Sequence, residues 1–421
     1  MTDEARTTLG SVVTASGGSF RTGPFGTTLS AAEYSSHGVP VISVGEVGYG
    51  RLRVTDGTKR VGPEVVGRLP ELVLRVNDIV FGRKGATDRS ALVREDEDGY
   101  FLGSDGIRVR LGQGVEPRFI AWQMQSESAR AWLTANATGT TMATLTQALL
   151  AGLPVWLPCV GEQARVAGAL DDATAMVTSL EQMIAKKEAV KQGMMQELLT
   201  GRTRLPGFSD VWVPVQLGEA VRYLRIAPLP RAELDETSAI CCLHYGDIHT
   251  GTSIHLDAST AVMPRVEPQK AARADRLEVG DVVFADASED SEGVGKSVEI
   301  ARIPPDGIVS GLHTIAARFD KSVLADGFKA YLQFVPAFRG NLLRLASGTK
   351  VLATTRTFIS SLVVPLPPAD EQRAIATVLI DADAELDALR ARLDKARMIK
   401  QGMMQELLGG RTRLLHADAA T

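Results

Sequence analysis

Two stretches of the chain carry apolar residues at helical intervals. In the first, Val166, Leu170, Ala173, Val177, Leu180 and Ile184 stand alternately four and three apart, and Val190, Met194 and Leu198 resume after a short slip. The second runs Ile375, Leu379, Ala382, Leu386, Leu389, Leu393, Ile399, Met403 and Leu407. This is the a/d stripe of a coiled coil. Pro158 and Pro367 close the preceding segments, Gly161 and Asp370 stand where caps belong, and Gly201 and Gly410 follow the last apolar positions. Residues 162 to 199 give 38 residues of rod, roughly 57 Å at ~1.5 Å per residue. A stripe that long must be covered. The economical cover is the other helix, running antiparallel; pairing between two copies of the chain is the alternative. Gly193 and Gly402 interrupt the helices at about 1 kcal/mol each and predict close approach there by another chain or helix.

The remaining sequence changes period. Short extended pieces at Val39 to Ser43, Asp78 to Phe81 and Gly106 to Arg110 alternate with glycine-rich turns, and comparable pieces recur at Asp281 to Phe284 and Thr314 to Ala317. Both regions read as mixed α/β, with turns too frequent for a doubly wound sheet. The predicted plan is a head over 1–155, a helical spacer over 156–205, a second head over 206–365, and a second spacer with tail over 366–421.

A long-period repeat underlies this plan. Lys191 to Leu205 reads KQGMMQELLTGRTRL and Lys400 to Leu414 reads KQGMMQELLGGRTRL, identical at fourteen of fifteen positions at an offset of 209. The same offset aligns Leu157-Pro158 with Leu366-Pro367, Glu162-Gln163 with Glu371-Gln372, and Gly139-Thr140 with Gly348-Thr349; Leu9-Gly10 answers Leu217-Gly218 at 208. Two copies are too few for a solenoid, so the repeat predicts pseudo-twofold architecture.

Composition narrows the chemistry. At 421 residues the chain is long for one core, and 44% hydrophobic content suffices to fold it throughout. A net charge of -4 excludes a polybasic coat but not local patches. Three cysteines, Cys159, Cys241 and Cys242, build no disulfide framework, and the polar start MTDEARTTLG and absence of an eighteen-residue apolar run predict a cytoplasmic protein without membrane attachment. Candidate catalytic motifs are fragmentary. Gly293-Val294-Gly295-Lys296-Ser297 resembles the end of a phosphate loop, but Asp290 stands where the pattern needs glycine. Cys241, Cys242, His244 and His249 have poor spacing for zinc, and Asp286, Glu289, Asp290 and Glu292 read as a solvated acidic loop. Neither Pro304-Pro305 nor Pro367-Pro368 supplies a methyltransferase Asn/Asp-Pro-Pro-Tyr/Phe loop. No catalytic, cofactor or metal residue is assigned.

Recognition is the better reading. Residues 50 to 98 hold ten basic and nine acidic side chains, and Arg51, Arg53, Lys59, Arg60, Arg83, Lys84 and Arg89 are the candidates to contact DNA. Gly82-Arg83-Lys84-Gly85 is a groove-facing turn in this reading, with Lys84 near phosphate and Arg83 on a base or phosphate. Arg265, Lys270, Lys296, Lys350 and Arg356 are the nominees in the second head. Basic residues also gather at the second coil end, at Arg390, Arg392, Lys395, Arg397, Lys400, Arg411 and Arg413. The repeated run offers one surface twice, through Gly193, Met194, Met195 and Leu198 and through Gly402, Met403, Met404 and Leu407. Two copies of one partner protein are expected.

The chain resembles the DNA specificity subunit of a Type I restriction-modification enzyme over essentially its whole length. The resemblance rests on Leu157-Pro158, Glu162-Gln163 and Lys191 to Leu205 with their second copies. It is joined by Gly23-Pro24-Phe25-Gly26 with Leu29 and Tyr34, Asn77-Asp78-Ile79-Val80-Phe81 with Lys84-Gly85, Leu243 to His249, Gly280 to Asp290, and Gly311 to Thr314. The second head lacks a Gly-Pro-Phe-Gly segment, which implies a different recognition subtype. The resemblance implies two mixed α/β target recognition domains separated by two long helices in an antiparallel coiled coil. It implies a non-catalytic subunit that reads a bipartite asymmetric target in double-stranded DNA and docks two methyltransferase subunits together with restriction subunits. S-adenosylmethionine, ATP and magnesium belong to those partners. A coiled-coil scaffold in another DNA-processing assembly is the competing reading.

Overall fold

The computed structural model describes residues 6–138, 142–288, 290–346 and 352–414. Gly139-Thr140, Glu289, Gly348-Thr349 and Lys350 lie outside the described residues, as do the first five residues and the tail beyond 414. The chain divides into two compact units, residues 1–181 with 391–421 and residues 182–390.

In the first unit a four-stranded antiparallel sheet runs in the order Ser19–Thr22, Gly106–Arg110, Ile79–Gly82, Ser90–Leu92. A smaller sheet joins Tyr34–Ser35, Arg60–Val61, Val39–Ile42 and Phe101–Leu102, the last two in parallel. Helices Leu9–Ser16 and Pro117–Gln125 cover the larger sheet, burying Leu9, Val12, Phe119 and Met124 against Phe81, Ile107 and Val109. Such side chains each contribute about 2 kcal/mol on leaving water.

The second unit has a five-stranded sheet in the order Val221–Tyr223, Thr314–Phe319, Val282–Ala285, Ser297–Arg302, His255–Asp257, antiparallel except for the last pair. A three-stranded sheet carries Ile240–Leu243 between Arg265–Val266 and Ile308–Ser310. Helix Pro336–Ala346 sets Phe338 and Leu342 against Phe284.

The two heads share a buried ion pair where the central strand begins. Asp78 receives Arg110 through Nε and Nη2, both at 2.7 Å, and the Arg75 amide at 2.8 Å. Asp281 receives Arg318 in the same fork at 2.7 Å, with the Glu278 amide at 2.7 Å. Each aspartate is 1% exposed, so its charge must be matched by a fixed donor set. The turn before each is left-handed, with φ 72° at Asn77 and 90° at Gly280. Asparagine and glycine are the residues that tolerate this conformation most readily.

Two helices of 39 residues, Val160–Leu198 and Ala369–Leu407, each contribute residues to both units. In the first unit Arg413 Nε meets Glu162 at 3.1 Å and Arg397 meets Glu181 at 2.7 Å. In the second, Glu188 receives Arg390 at 2.7 Å, Lys191 pairs with Asp383, and Arg204 meets Glu371 at 2.5 and 2.6 Å. In both units numbers rise on one helix as they fall on the other, so the pairing is antiparallel and within one chain. Gln163 and Gln372 each return their amide to a proline carbonyl, Pro158 at 2.7 Å and Pro367 at 2.9 Å. Each also accepts a backbone amide of its head, Glu116 and Ala325 respectively, at 2.9 Å.

Three details depart from the sequence reading. Both helices begin earlier than expected, so Gly161 and Asp370 lie within the first turn; Asp370 pairs with Arg373 instead of capping. Val190 and Ile399 leave the seam, at 49% and 52% exposure. Each stands six residues after its predecessor in the stripe, and six steps of ~100° turn a side chain about 120° from a three-or-four spacing. Gly193 and Gly402 meet no close neighbour, since a Cβ built on either finds nothing within 4 Å. Gly201 and Gly410 end the helices as expected, at φ 71° and 67°.

Candidate nucleic-acid interface

The first head offers a basic hairpin between strands Ile79–Gly82 and Ser90–Leu92. Its tip is tied down on both sides. Arg83 donates its amide to Asp105 O at 2.8 Å and accepts from Leu145, also at 2.8 Å, while Gly85, at φ 75°, donates to Ala143 O at 2.9 Å. With the backbone held, the side chains are presented from a fixed base. Arg83 lies over the Phe25 ring at 4.4 Å and Lys84 reaches Asp105 at 3.1 Å. Phe25 is nevertheless 57% exposed, with the Arg83 guanidinium as cover on its ring.

A second aromatic flanks the same hairpin. The Tyr49 ring stands 4.3 Å from the Arg130 guanidinium and 5.7 Å from that of Arg89. Its hydroxyl donates to Asp88 at 2.7 Å, and Arg130 reaches the same oxygen at 3.1 Å. Burial pulls the Asp88 carboxyl up, but the bonds from Tyr49 and Arg130 hold it below the usual carboxylate range. Exposed aromatics flanked by guanidinium groups suit base stacking and phosphate contact. Tyr49 and Arg130 escape sequence reasoning because Arg130 lies on helix Glu127–Asn136, far from residues 49 and 89 in the chain, and Phe25 is legible only as part of the Gly-Pro-Phe-Gly segment.

The other nominees of this head are spread out. Arg51 and Arg53 are exposed, Lys59 covers the Tyr34 ring at 4.8 Å, and Arg60 donates to Gly38 O at 3.0 Å from the smaller sheet. In the second head Arg265 is held by the Ala239 carbonyl at 2.8 Å, Lys270 is exposed, and Arg356 lies 5.5 Å from the Tyr223 ring while donating to Leu224 O at 3.1 Å. These do not form one group.

Lys296 belongs to something else. It borders a cleft of about 660 Å³ that gathers Tyr245, His249, Ser288, Asp290, Glu292, Gly293 and His313. The phosphate-loop fragment, the acidic loop and one of the paired histidines thus converge on one cavity. Cys241 and Cys242 do not take part; they are buried in strand Ile240–Leu243, and burial pushes the Cys242 thiol up to about 12. Among the described residues no group of three or more His, Cys, Asp or Glu is placed to hold a metal ion, and no helix is long and apolar enough to cross a membrane.

The candidate partner residues divide by burial. Met195 and Leu198 lie in the core of the second unit and Leu407 in that of the first, whereas Met194, Met403 and Met404 are half-buried against those cores. Gly193 and Gly402 of the repeated run meet nothing within 4 Å, and the exposed apolar residues beside them, Val190 in one copy and Met398 and Ile399 in the other, lie just before the run. Much of the basic charge at the second coil end is used internally: Arg390, Arg397, Arg411 and Arg413 pair with Glu188, Glu181, Glu406 and Glu162, and Lys400 covers Trp122 at 5.0 Å.

No family model matches the chain. Two proteins of Methanocaldococcus jannaschii are similar in sequence. One carries the name MjaX type I restriction enzyme specificity subunit and is 22% identical over 287 residues, 64% of this chain and 62% of that protein. The other, the MjaVIII specificity subunit, is 22% identical over 332 residues, 75% of this chain and 76% of its own length. The match therefore spans under two thirds of the MjaX relative. In fold the chain is similar to the S subunit of a Type I restriction-modification system from M. genitalium, with a TM-score of 0.58, 14% identity and 96% of both chains covered. A Type I R-M system structure solved for complex assembly and conformational transition gives 0.51, with 18% identity, 88% of this chain and 91% of that one covered. The chain is thus similar to two specificity subunits in sequence and to solved Type I restriction-modification structures in fold.

Proposed function

We propose that this chain is the DNA specificity subunit of a Type I restriction-modification complex. Its target recognition domains, residues 1–155 and 206–365, each read one half of a bipartite, asymmetric double-stranded target. The helical spacers 156–205 and 366–421 hold the domains and dock two methyltransferase subunits and the restriction subunits. The chain is non-catalytic in this reading and cytoplasmic with its DNA. S-adenosylmethionine, ATP and magnesium act in the partner subunits.

The observation that carries this reading is the tethered hairpin of Arg83, Lys84 and Arg89 between the exposed rings of Phe25 and Tyr49. Lys84 contacts phosphate and fixes register, and Arg83 reads a base edge. Arg51, Arg53, Lys59 and Arg60 extend the contact to flanking phosphates in the first domain; Arg265, Lys270, Lys296, Lys350 and Arg356 are the corresponding candidates in the second. For the partner subunits, Gly193, Met194, Met195, Leu198, Gly402, Met403, Met404 and Leu407 mark the repeated docking segment. Its buried members shape the segment from beneath, and its outward face makes the contact.

The test is genome-wide methyladenine mapping in a host free of methyltransferases, expressing this chain with the methyltransferase subunit encoded beside it. One asymmetric bipartite motif, dependent on this chain, is expected. A soluble complex with an active methyltransferase but no motif would favour the scaffold reading instead.

A further inference from the structure

The two heads present opposite chemistry at one structural position. In the first, Phe81 pairs with Ile107 and Gly82 with Gly106; in the second, Phe284 pairs with Ile315 and Ala285 with Thr314. The next amide crosses the ladder in both, Arg83 to Asp105 O at 2.8 Å and Asp286 to His313 O at 3.2 Å. Arg83 and Asp286 are therefore structural equivalents, and so are Asp105 and His313. Where the first head sets the Arg83 cation over the Phe25 ring, the second sets the Asp286 carboxylate 3.4 Å from the His313 imidazole.

Asp286 is an acceptor in want of a donor. Its Oδ1 is shielded from solvent and accepts no hydrogen bond, His313 Nδ1 standing 3.4 Å away as an ion-pair partner when that ring is protonated, while a third of the Asp286 side chain stays exposed to an incoming group. A shielded oxygen left so costs free energy that an incoming donor would recover. His313 itself is held at φ 58°, and among described non-glycine residues only it and Asn77 have positive φ. Such strain is retained where the surroundings fix the residue for a purpose. The Tyr245 ring, 38% exposed, lies 5.4 Å from the His313 ring. At the rim Lys296 donates to His249 O at 2.6 Å, which leaves its charge uncancelled by any carboxylate in that bond.

Resting on the reading of the heads as DNA readers, we propose that this cleft takes the edge of an amino-bearing base. Asp286, beside the lining residues Ala287 and His313, accepts the exocyclic N–H of adenine N6 or cytosine N4, the Tyr245 ring, packed edge to face on His313, lies against the base, and Lys296 meets the adjoining phosphate. Arg83 at the equivalent place donates instead, and suits the O6 and N7 acceptors of guanine. The heads thus read complementary hydrogen-bond chemistry from one scaffold position.

The experiment measures DNA binding by the chain in complex with its methyltransferase subunit, on duplexes carrying the mapped target. Each adenine of the second half-site is replaced in turn by purine, which lacks N6, and each cytosine by 2-pyrimidinone, which lacks N4. At one position the wild type is expected to lose about 10-fold or more, whereas Asp286→Ala, already weakened on the parent duplex, loses less than about 3-fold further. The position identifies adenine or cytosine as the base read. His313→Gly, which accepts the positive φ, is expected to lower discrimination at the same position and guards against a misfolded Asp286 variant. If every amine-free duplex binds the wild type as the parent does, or the losses are independent of Asp286, the assignment is overturned with the bipartite reading intact. If the wild type shows no sequence preference at all, the underlying reading fails too.

Discussion

The reading role proposed for Arg83 rests on a backbone that is fully engaged: amide and carbonyl are both bonded, so only the side chain has freedom. Arg83→Ala is expected to weaken binding by about 1–3 kcal/mol and relax specificity in one half-site only, as read by methyladenine mapping of the variant. Equal weakening on random DNA would reassign it to phosphate. The turn itself is legible in sequence, from two glycines after an extended run. The neighbours that complete it are not, because nothing in the spacing of Tyr49, Arg89 and Arg130 announces that a helix brings them together. Buried titratable groups are equally hidden from sequence. Glu299, 2% exposed, is pushed up to about 7 by burial, against the Gly327 and Ala330 amides and Lys329, which pull it down. A folded-state value above the ordinary one means the folded form holds the proton more tightly. The stabilisation is full below about 4.5 and is lost as pH rises through about 7. Denaturation midpoints from pH 5 to pH 8 should fall more steeply in the wild type than in Glu299→Gln.

At the scale of elements, the long helices are the most legible part of the chain, since a stripe sustained over so many turns has no other reading. The slip before Val190 and Ile399 was visible as well, but its consequence was not: a six-residue step carries both side chains out of the seam. Beside them Gly193 and Gly402 stand in open space. Gly→Ala at both should therefore stabilise the free chain by up to about 1 kcal/mol per site, measured by chemical denaturation. It should also weaken capture of the methyltransferase subunit if that partner's backbone approaches there. Unchanged capture would remove these glycines from the docking surface. The helices also predict target geometry. Seven residues inserted at matching levels of both lengthen the coil by about 10 Å, or about three base pairs. Mapping should then show a longer spacer with both half-sites intact, and an unchanged spacer would refute the ruler.

For the whole molecule, the duplication was plain from fourteen identities in fifteen, yet it could not say which copy pairs with which. Glu162 and Glu371 are equivalent, as are Arg204 and Arg413, so sequence allows either match. The structure chooses the crossed one, Glu162 with Arg413 and Glu371 with Arg204. Each carboxylate is buried, at 1% and 0% exposure, and loses its counterion if the other copy is absent. A product ending near residue 205 carries one Glu162 and one Arg204 with no crossed partner inside it. Two such half-chains can satisfy each other reciprocally. Sedimentation of the half-chain should show a dimer, and with the methyltransferase subunit it should mark a palindrome built from the first half-site alone. Under the proposed function, loss of one copy would thereby turn an asymmetric reader into a symmetric one.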